Sequence, residues 1–118
     1  MEVEGKTIRE VLQKLLQEIN KNVEGKNLQE NFSTKFEVKG KDMREVIENF
    51  AKKIADYFEK KKAIFESLEA EIIPSKKWIL RLSLNGKIFE SITKNFKEMR
   101  VLELEETMEG WKLSFSME

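Results

Sequence analysis

The stretch MEVEGKTIREVLQKLLQEI at residues 1–19 decides the fold, because it returns 35 residues later as FEVKGKDMREVIENFAKKI at residues 36–54. Self-similarity at a fixed spacing is the signature of a repeated structural unit. The chain is therefore expected to contain two copies of one supersecondary unit. The residues that recur unchanged are Glu2, Val3, Gly5, Lys6, Arg9, Glu10, Val11 and Ile19, as Glu37, Val38, Gly40, Lys41, Arg44, Glu45, Val46 and Ile54.

Each copy predicts a short strand, a Gly-Lys turn and then a helix. Thr7 and Asp42 are the expected N-caps, and Glu10 and Glu45 follow them at the three-residue spacing of a capping box. Apolar residues then recur at helical spacing, which predicts one buried stripe on each helix. The stripes are Ile8, Val11, Leu12, Leu15, Leu16 and Ile19 in the first helix, and Met43, Val46, Ile47, Phe50, Ala51, Ile54, Tyr57 and Phe58 in the second.

The glycines Gly5 and Gly40 suit a strand-to-helix turn, since a residue without a Cβ tolerates unusual backbone angles. A phosphate-binding loop at a helix N-terminus is the alternative interpretation. One glycine per loop is far short of a nucleotide-binding fingerprint, which favours the plain turn. The lysine run at residues 60–62 is open to the same two interpretations, an anion patch or cations placed favourably at a helix C-terminus.

The polar, Asn-rich residues 20–33 are interpreted as a connector between the two units. Beyond the second helix the apolar period changes to two, which predicts strands. Pro74-Ser75 and Met108-Glu109-Gly110 indicate turns, and Asn85-Gly86 is typical of a hairpin. The predicted strands are 65–73, 78–84 with a partner from residue 87 to 89, 96–105 and 111–117.

These elements predict a single α+β domain over residues 1–118. The order is a duplicated strand–helix unit, β-α-β-α, followed by an antiparallel β-meander, with the two helices packed on one face of the sheet.

Composition narrows the possible functions. The chain has no Cys and no His, so thiolate chemistry is excluded and the commonest general base near neutral pH is missing. Lys and Arg number 22 and Asp and Glu number 22, a balance that makes direct nucleic-acid binding an unfavourable hypothesis. No apolar run approaches the length of a membrane span and no secretory signal is evident, which favours the cytoplasm. Abundant Lys and Glu would suit a heat-adapted source.

Four segments resemble archease proteins, and together they cover most of the chain. GKTIREVLQKLL (5–16) is similar to the opening helix of that family, and the long stretch at 36–72 is similar to its second helix and the following strand. LSLNGKIFE (82–90) and GWKLSFSME (110–118) resemble later strands. The resemblance implies a strand–helix–strand–strand module with a second such module inserted. It also implies a non-enzymatic accessory protein that promotes guanylylation and turnover of an RNA ligase through an acidic metal site.

The sequence departs from the family where that metal site would lie. The His-Thr-Ala-Asp segment of the family's first strand has no counterpart, and Lys53 stands three residues after Phe50, where the family has Glu. Met99-Arg100 replaces a Tyr-His pair, and Glu118 replaces a terminal aspartate. A lone carboxylate is a poor site for a divalent cation, which prefers several oxygen ligands. The resemblance therefore implies a scaffold that has lost its metal site, with no catalytic, cofactor-binding or metal-binding residues assigned.

Three further functions stay open. A shortened archease could still activate a tRNA-splicing or RNA-repair ligase if Glu118 bound a metal together with Glu103, Glu105 or Asp56. A hydrolase or transferase could use Glu103, Glu105 and Glu106, although charged residues alternating with core residues more often form a solvated face. A small-molecule pocket would involve Trp78, Trp111 and Phe115, although aromatic residues at alternating strand positions are more often core. The favoured hypothesis is an interaction module with a protein partner.

Overall fold

A computed structural model describes all 118 residues and shows two helices and six strands. The helices are α1 (Ile8–Asn20) and α2 (Met43–Lys60). The strands are β1 (Glu2–Gly5), β2 (Val23–Gly40), β3 (Ala63–Ile73), β4 (Trp78–Lys94), β5 (Met99–Thr107) and β6 (Gly110–Met117). Neither helix has the length and apolar character needed to cross a bilayer.

The strands form two antiparallel sheets with the same internal order. Sheet 1 has the order β1-β6-β5, and sheet 2 has the order β2-β4-β3. Each sheet therefore belongs to a strand–helix–strand–strand unit whose last strand lies in the centre. We call β1-α1-β5-β6 the first module and β2-α2-β3-β4 the inserted module, because the second interrupts the first between α1 and β5.

The two modules also share their strand register. Gly5 and Val3 of β1 oppose Trp111 and Leu113 of β6. Their counterparts in β2 oppose Trp78 and Leu80 of β4. The sequence repeat therefore extends beyond the first strand and helix to the central strands, where WKLSFSM (111–117) takes the place of WILRLSL (78–84).

One apolar core joins the modules. A single cluster of 23 buried residues draws on both helices and on strands of both sheets, and no polar or charged residue is buried. All six residues of the predicted α1 stripe are buried. In α2, six of the eight predicted residues are buried, and Met43 and Tyr57 pack against the core from the edge.

Each helix also contacts the second strand of the other module, which is β3 for α1 and β5 for α2. Arg9 on α1 donates to the Glu69 carboxylate of β3 at 2.9 Å, and its repeat counterpart Arg44 on α2 donates to the Val101 carbonyl of β5 at 2.8 Å. Side-chain amides of α1 continue this contact, since Asn20 donates to the Phe65 carbonyl at 2.6 Å. Arginines at equivalent positions of the repeat, Arg9 and Arg44, thus both contact the other module.

The α+β class, the duplicated strand–helix unit and the strand-rich second half are confirmed. The strands divide into two sheets, because the first strand of each repeat pairs with a different central strand. The strand predicted at 65–73 begins two residues earlier, and the one predicted at 96–105 lies at Met99–Thr107.

Two local predictions are wrong. Residues 23–33 belong to β2 and are not a connector, since they pair with β4 from Lys94 to Asn85. Asn85-Gly86 lies inside β4 and not in a hairpin turn. A Cβ on Gly86 would collide with the Ile64 carbonyl, and the neighbouring strand bulges between Phe65 and Ser67. Gly86 therefore allows the backbones of β4 and β3 to approach each other closely.

Candidate functional site

The Gly-Lys turns place each helix start directly against the end of the preceding strand. A Cβ on Gly5 would lie 2.9 Å from the backbone nitrogen of Val11, and one on Gly40 would lie 2.8 Å from that of Val46. Neither glycine has a positive φ, so the expected reason for glycine, an unusual backbone angle, is wrong. Glycine is required because the first helical turn leaves no room for a side chain.

The amides at these helix starts bond within the chain. The Thr7 hydroxyl accepts from the Glu10 N–H at 3.1 Å, and the Asp42 carboxylate accepts from the Glu45 N–H at 2.8 Å, which confirms both N-caps. The Lys6 N–H donates to the Glu10 carboxylate at 3.2 Å. This geometry agrees with a plain turn, because the Lys6 N–H is bonded to Glu10 of its own helix and not to an external anion.

A cleft of about 500 Å³ lies beside the first turn, between Lys6, Glu10 and Lys14 on one side and the β5–β6 turn with Trp111 on the other. The pKa of Glu10 is lowered, chiefly by the hydrogen bond from the Lys6 N–H and then by Lys14. Lys14 contacts Glu10 at 3.4 Å and also donates to the Glu4 carbonyl at 2.6 Å. The charged groups that line this cleft therefore already contact one another.

A groove of about 600 Å³ lies on the exposed face of sheet 2. Arg81 stands at its centre, with Glu37 on one neighbouring strand and Glu71 on the other. The Arg81 Nε lies 2.7 Å from a Glu37 oxygen, and this hydrogen bond, followed by the charges of Glu37 and Glu71, raises the pKa of Arg81. On this face of sheet 2, Glu71, Arg81 and Glu37 form a row of alternating charge across the strands. Lys35 lies on the same face of β2, the edge strand of the sheet.

No family model and no curated protein matches the chain.

The acids considered for a metal do not converge. Glu118 bonds through its backbone to Glu98, whose carboxylate contacts Arg100 at 3.4 Å. Glu103 opposes Ser114 on β6, and Glu105 opposes Lys112. At about 3.3 Å per residue, these positions lie roughly 13 and 20 Å along the strand from Glu118. Asp56 lies on α2 of the inserted module, beside Lys53 and Lys60. No group of three or more acidic side chains is arranged to hold a metal ion.

The carboxylates considered for catalysis divide between two faces of β5. Glu103 and Glu105 alternate with the partly buried Leu104 and are exposed, as expected for a solvated face. Glu106 opposes Trp111 on the other face of the sheet, so the three acids do not point toward one place.

The aromatic residues considered for a pocket also lie apart. Phe115 is fully buried in the core. Trp78 and Trp111 occupy equivalent positions in different modules, each opposite the glycine that precedes a helix. Only Trp111 lines a cleft, the one beside the first turn.

The lysine run ends α2, as the helix-terminus interpretation expects, with Lys60 in the last turn. Lys62 adopts a positive φ of 54° and donates to the Glu90 carbonyl at 3.1 Å. This run therefore ends the helix and also ties it to β4.

Local sequence patterns do not predict the groove of sheet 2, because its lining residues 35–37, 69–71 and 81–83 come together only through the pairing of β2 and β3 with β4. A local signal for its β2 side is present in KFEVK (35–39), where opposite charges alternate with apolar residues at the period of a strand.

Proposed function

We propose that this protein is a non-enzymatic, archease-like interaction module that binds a protein partner and lacks the acidic metal site of that family. The observation that carries the proposal is the nesting of the modules. One strand–helix–strand–strand unit is inserted into another, between the helix and the second strand of the latter, with sheet order and register repeated. This is the arrangement that the resemblance to archeases implies.

The placement of the charged groups supports the non-enzymatic part of the proposal. Every buried side chain is apolar, and the ionisable groups lie at the surface, where ten ion pairs form. Catalytic acids and bases usually have pKa values shifted by burial. The shifts at Glu10 and Arg81 arise instead from surface hydrogen bonds and neighbouring charges.

The partner that the resemblance favours is an RNA ligase that joins ends bearing a 2′,3′-cyclic phosphate, which would place the protein in tRNA processing or RNA repair. Balanced charge favours contact with the ligase and not with its RNA. The absence of Cys is the basis for proposing the cytoplasm as the compartment, because disulfides are typical of oxidising compartments.

Binding and activation of the ligase can be measured separately. We expect a purified RNA ligase of this class, immobilised on a sensor, to bind the protein without a divalent metal. We expect no increase in ligase guanylylation when magnesium or manganese is added. Failure to bind contradicts the proposed partner, and stimulated guanylylation contradicts the loss of the metal site.

A thermal titration tests the metal site without any partner. A cation bound with micromolar affinity stabilises a protein by about 4 kcal/mol at millimolar concentration, which is several degrees for a domain of this size. We expect the melting temperature to stay constant with calcium, magnesium or manganese. A rise that disappears in Glu118→Gln would instead favour a metal-dependent ligase activator.

A further inference from the structure

The outer edge of β2 is long and open. β2 runs for 18 residues and pairs only with β4, on one side. The opposite edge of sheet 2 is different, because the α1 side chains Gln13 and Asn20 donate to the Leu68 and Phe65 carbonyls of β3. An uncovered edge strand presents unpaired N–H and C=O groups and is a template for another strand.

The charges of β2 complement themselves in an antiparallel register centred on Phe36. When two copies pair about a twofold axis at Phe36, Lys35 of each copy opposes Glu37 of the other, so the attraction occurs twice. An axis at Lys35 would oppose two lysines, and one at Glu37 would oppose two glutamates. Opposite charges across neighbouring strands stabilise a sheet, and like charges destabilise it.

The same register extends the charge row of sheet 2 across the interface between the two β2 strands. Within one copy the row runs from Glu71 through Arg81 to Glu37. Lys35 of the second copy would stand next in line and continue the alternation of sign. On the other face, the half-buried Phe36 would oppose Phe36 of the second copy, beside the Tyr57 ring that each Phe36 already stacks on at 5.7 Å.

We propose that two copies of this chain associate through β2, antiparallel and centred on Phe36, to form one six-stranded sheet. A neighbouring register centred on Val38 also opposes Glu37 to Lys39. It is shorter, because β2 ends at Gly40, and the Lys39 carbonyl already accepts from the Asn49 amide at 2.7 Å. The inference concerns self-association and does not depend on the identity of any other partner.

Sedimentation equilibrium across micromolar concentrations tests the association. We expect a reversible species of twice the 14.0 kDa chain mass. Lys35→Glu changes two attractive pairs into two repulsive ones, and we expect it to weaken the dimer by at least about tenfold. A chain that stays monomeric up to several hundred micromolar overturns the proposal.

Mixing two variants tests the register itself. Lys35→Glu and Glu37→Lys each place like charges opposite one another at the β2–β2 interface, so each variant alone should be monomeric. In a mixture, each Glu of one chain opposes a Lys of the other, and a heterodimer should form. Circular dichroism first establishes that both variants fold, because Glu37→Lys also loses the contact with Arg81.

The matched control is Lys39→Glu, the same charge reversal on the same strand. In the proposed register Lys39 opposes the uncharged Ser33, so the dimer should keep its affinity. A dimer that is lost in Lys39→Glu, or that is unchanged in Lys35→Glu, contradicts pairing centred on Phe36.

Discussion

At Gly40, an added Cβ would lie 2.8 Å from the backbone nitrogen of Val46 and 3.0 Å from its Cγ2. The methyl group would therefore push the start of α2 away from β2. Overpacking of this kind typically costs about 1–3 kcal/mol. We expect Gly40→Ala to lower the free energy of unfolding by that amount in denaturant titrations, and Gly5→Ala to act similarly on α1.

Replacement by asparagine separates crowding from backbone conformation. Asparagine tolerates left-handed backbone better than alanine does, so it would be milder if the angle were the problem. Because Gly40 is crowded, we expect Gly40→Asn to be at least as destabilising as Gly40→Ala. The exposed neighbour Lys41→Ala is the control and should change stability little. An asparagine variant more stable than the alanine variant would contradict this explanation.

The Glu10 carboxylate gives a pH dependence with a definite sign. Its pKa lies below the usual value in the folded protein, so its charged form stabilises the fold at neutral pH. That contribution is lost as the pH falls through the folded pKa. We expect Glu10→Gln to melt below the wild type at about pH 7, and the difference to vanish once the pH falls below the lowered pKa of Glu10 in the folded protein. A difference that is constant with pH would contradict the role of the charge.

Among the structural elements, the helices differ in how they hold the other module. Arg44 donates to the backbone carbonyls of Val101 and Leu102, whereas Arg9 forms a surface ion pair with Glu69. Exposed ion pairs contribute about 0–1 kcal/mol, and a charged donor to a carbonyl contributes more. We expect Arg44→Ala to cost about 1 kcal/mol or more, and Arg9→Ala about half of that or less, in matched chemical denaturation. Equal losses would contradict this difference between the two contacts.

The helices and strands also show which local sequence patterns are sufficient to predict an element. Both helices, their caps and their buried stripes follow from local spacing, because an amphipathic helix fixes its own core face. The N-terminal half of β2 cannot be predicted from local spacing, because it lies at an edge and carries no alternating apolar face from residue 24 to 31. Asn85-Gly86 misleads for a related reason, since long-range pairing on both sides of β4 overrides a local preference for a turn.

For the whole molecule, the repeat predicts two like units but not how they fit together. The insertion is visible only once β6, the partner of β5, is also seen to pair with β1, 106 or more residues earlier in the chain. The candidate groove follows from the same long-range pairing, because it needs β2, β3 and β4 side by side. Local patterns carry no information about such contacts, so the repeat predicts two units, and only the family resemblance predicts that one is inserted into the other.

The nesting predicts that the two modules unfold together. One core cluster spans both, and each helix contacts the other module's second strand. Trp78 lies in the inserted module and Trp111 in the first module, so Trp111→Phe and Trp78→Phe leave one reporter in each. Under one set of denaturant conditions, we expect each reporter's fluorescence to change at the same midpoint as the far-ultraviolet circular dichroism of its own variant.

A core truncation makes this test sharper, because it destabilises one module directly. Leu80 is fully buried in the inserted module, and Leu80→Ala should cost about 2–5 kcal/mol. If the modules form one cooperative unit, this substitution lowers the midpoint reported by Trp111 as much as the midpoint reported by Trp78. Leu113→Ala, at the equivalent position of the first module, should do the same in reverse. A Trp111 midpoint that does not move in Leu80→Ala would mean that the first module folds without the one inserted into it.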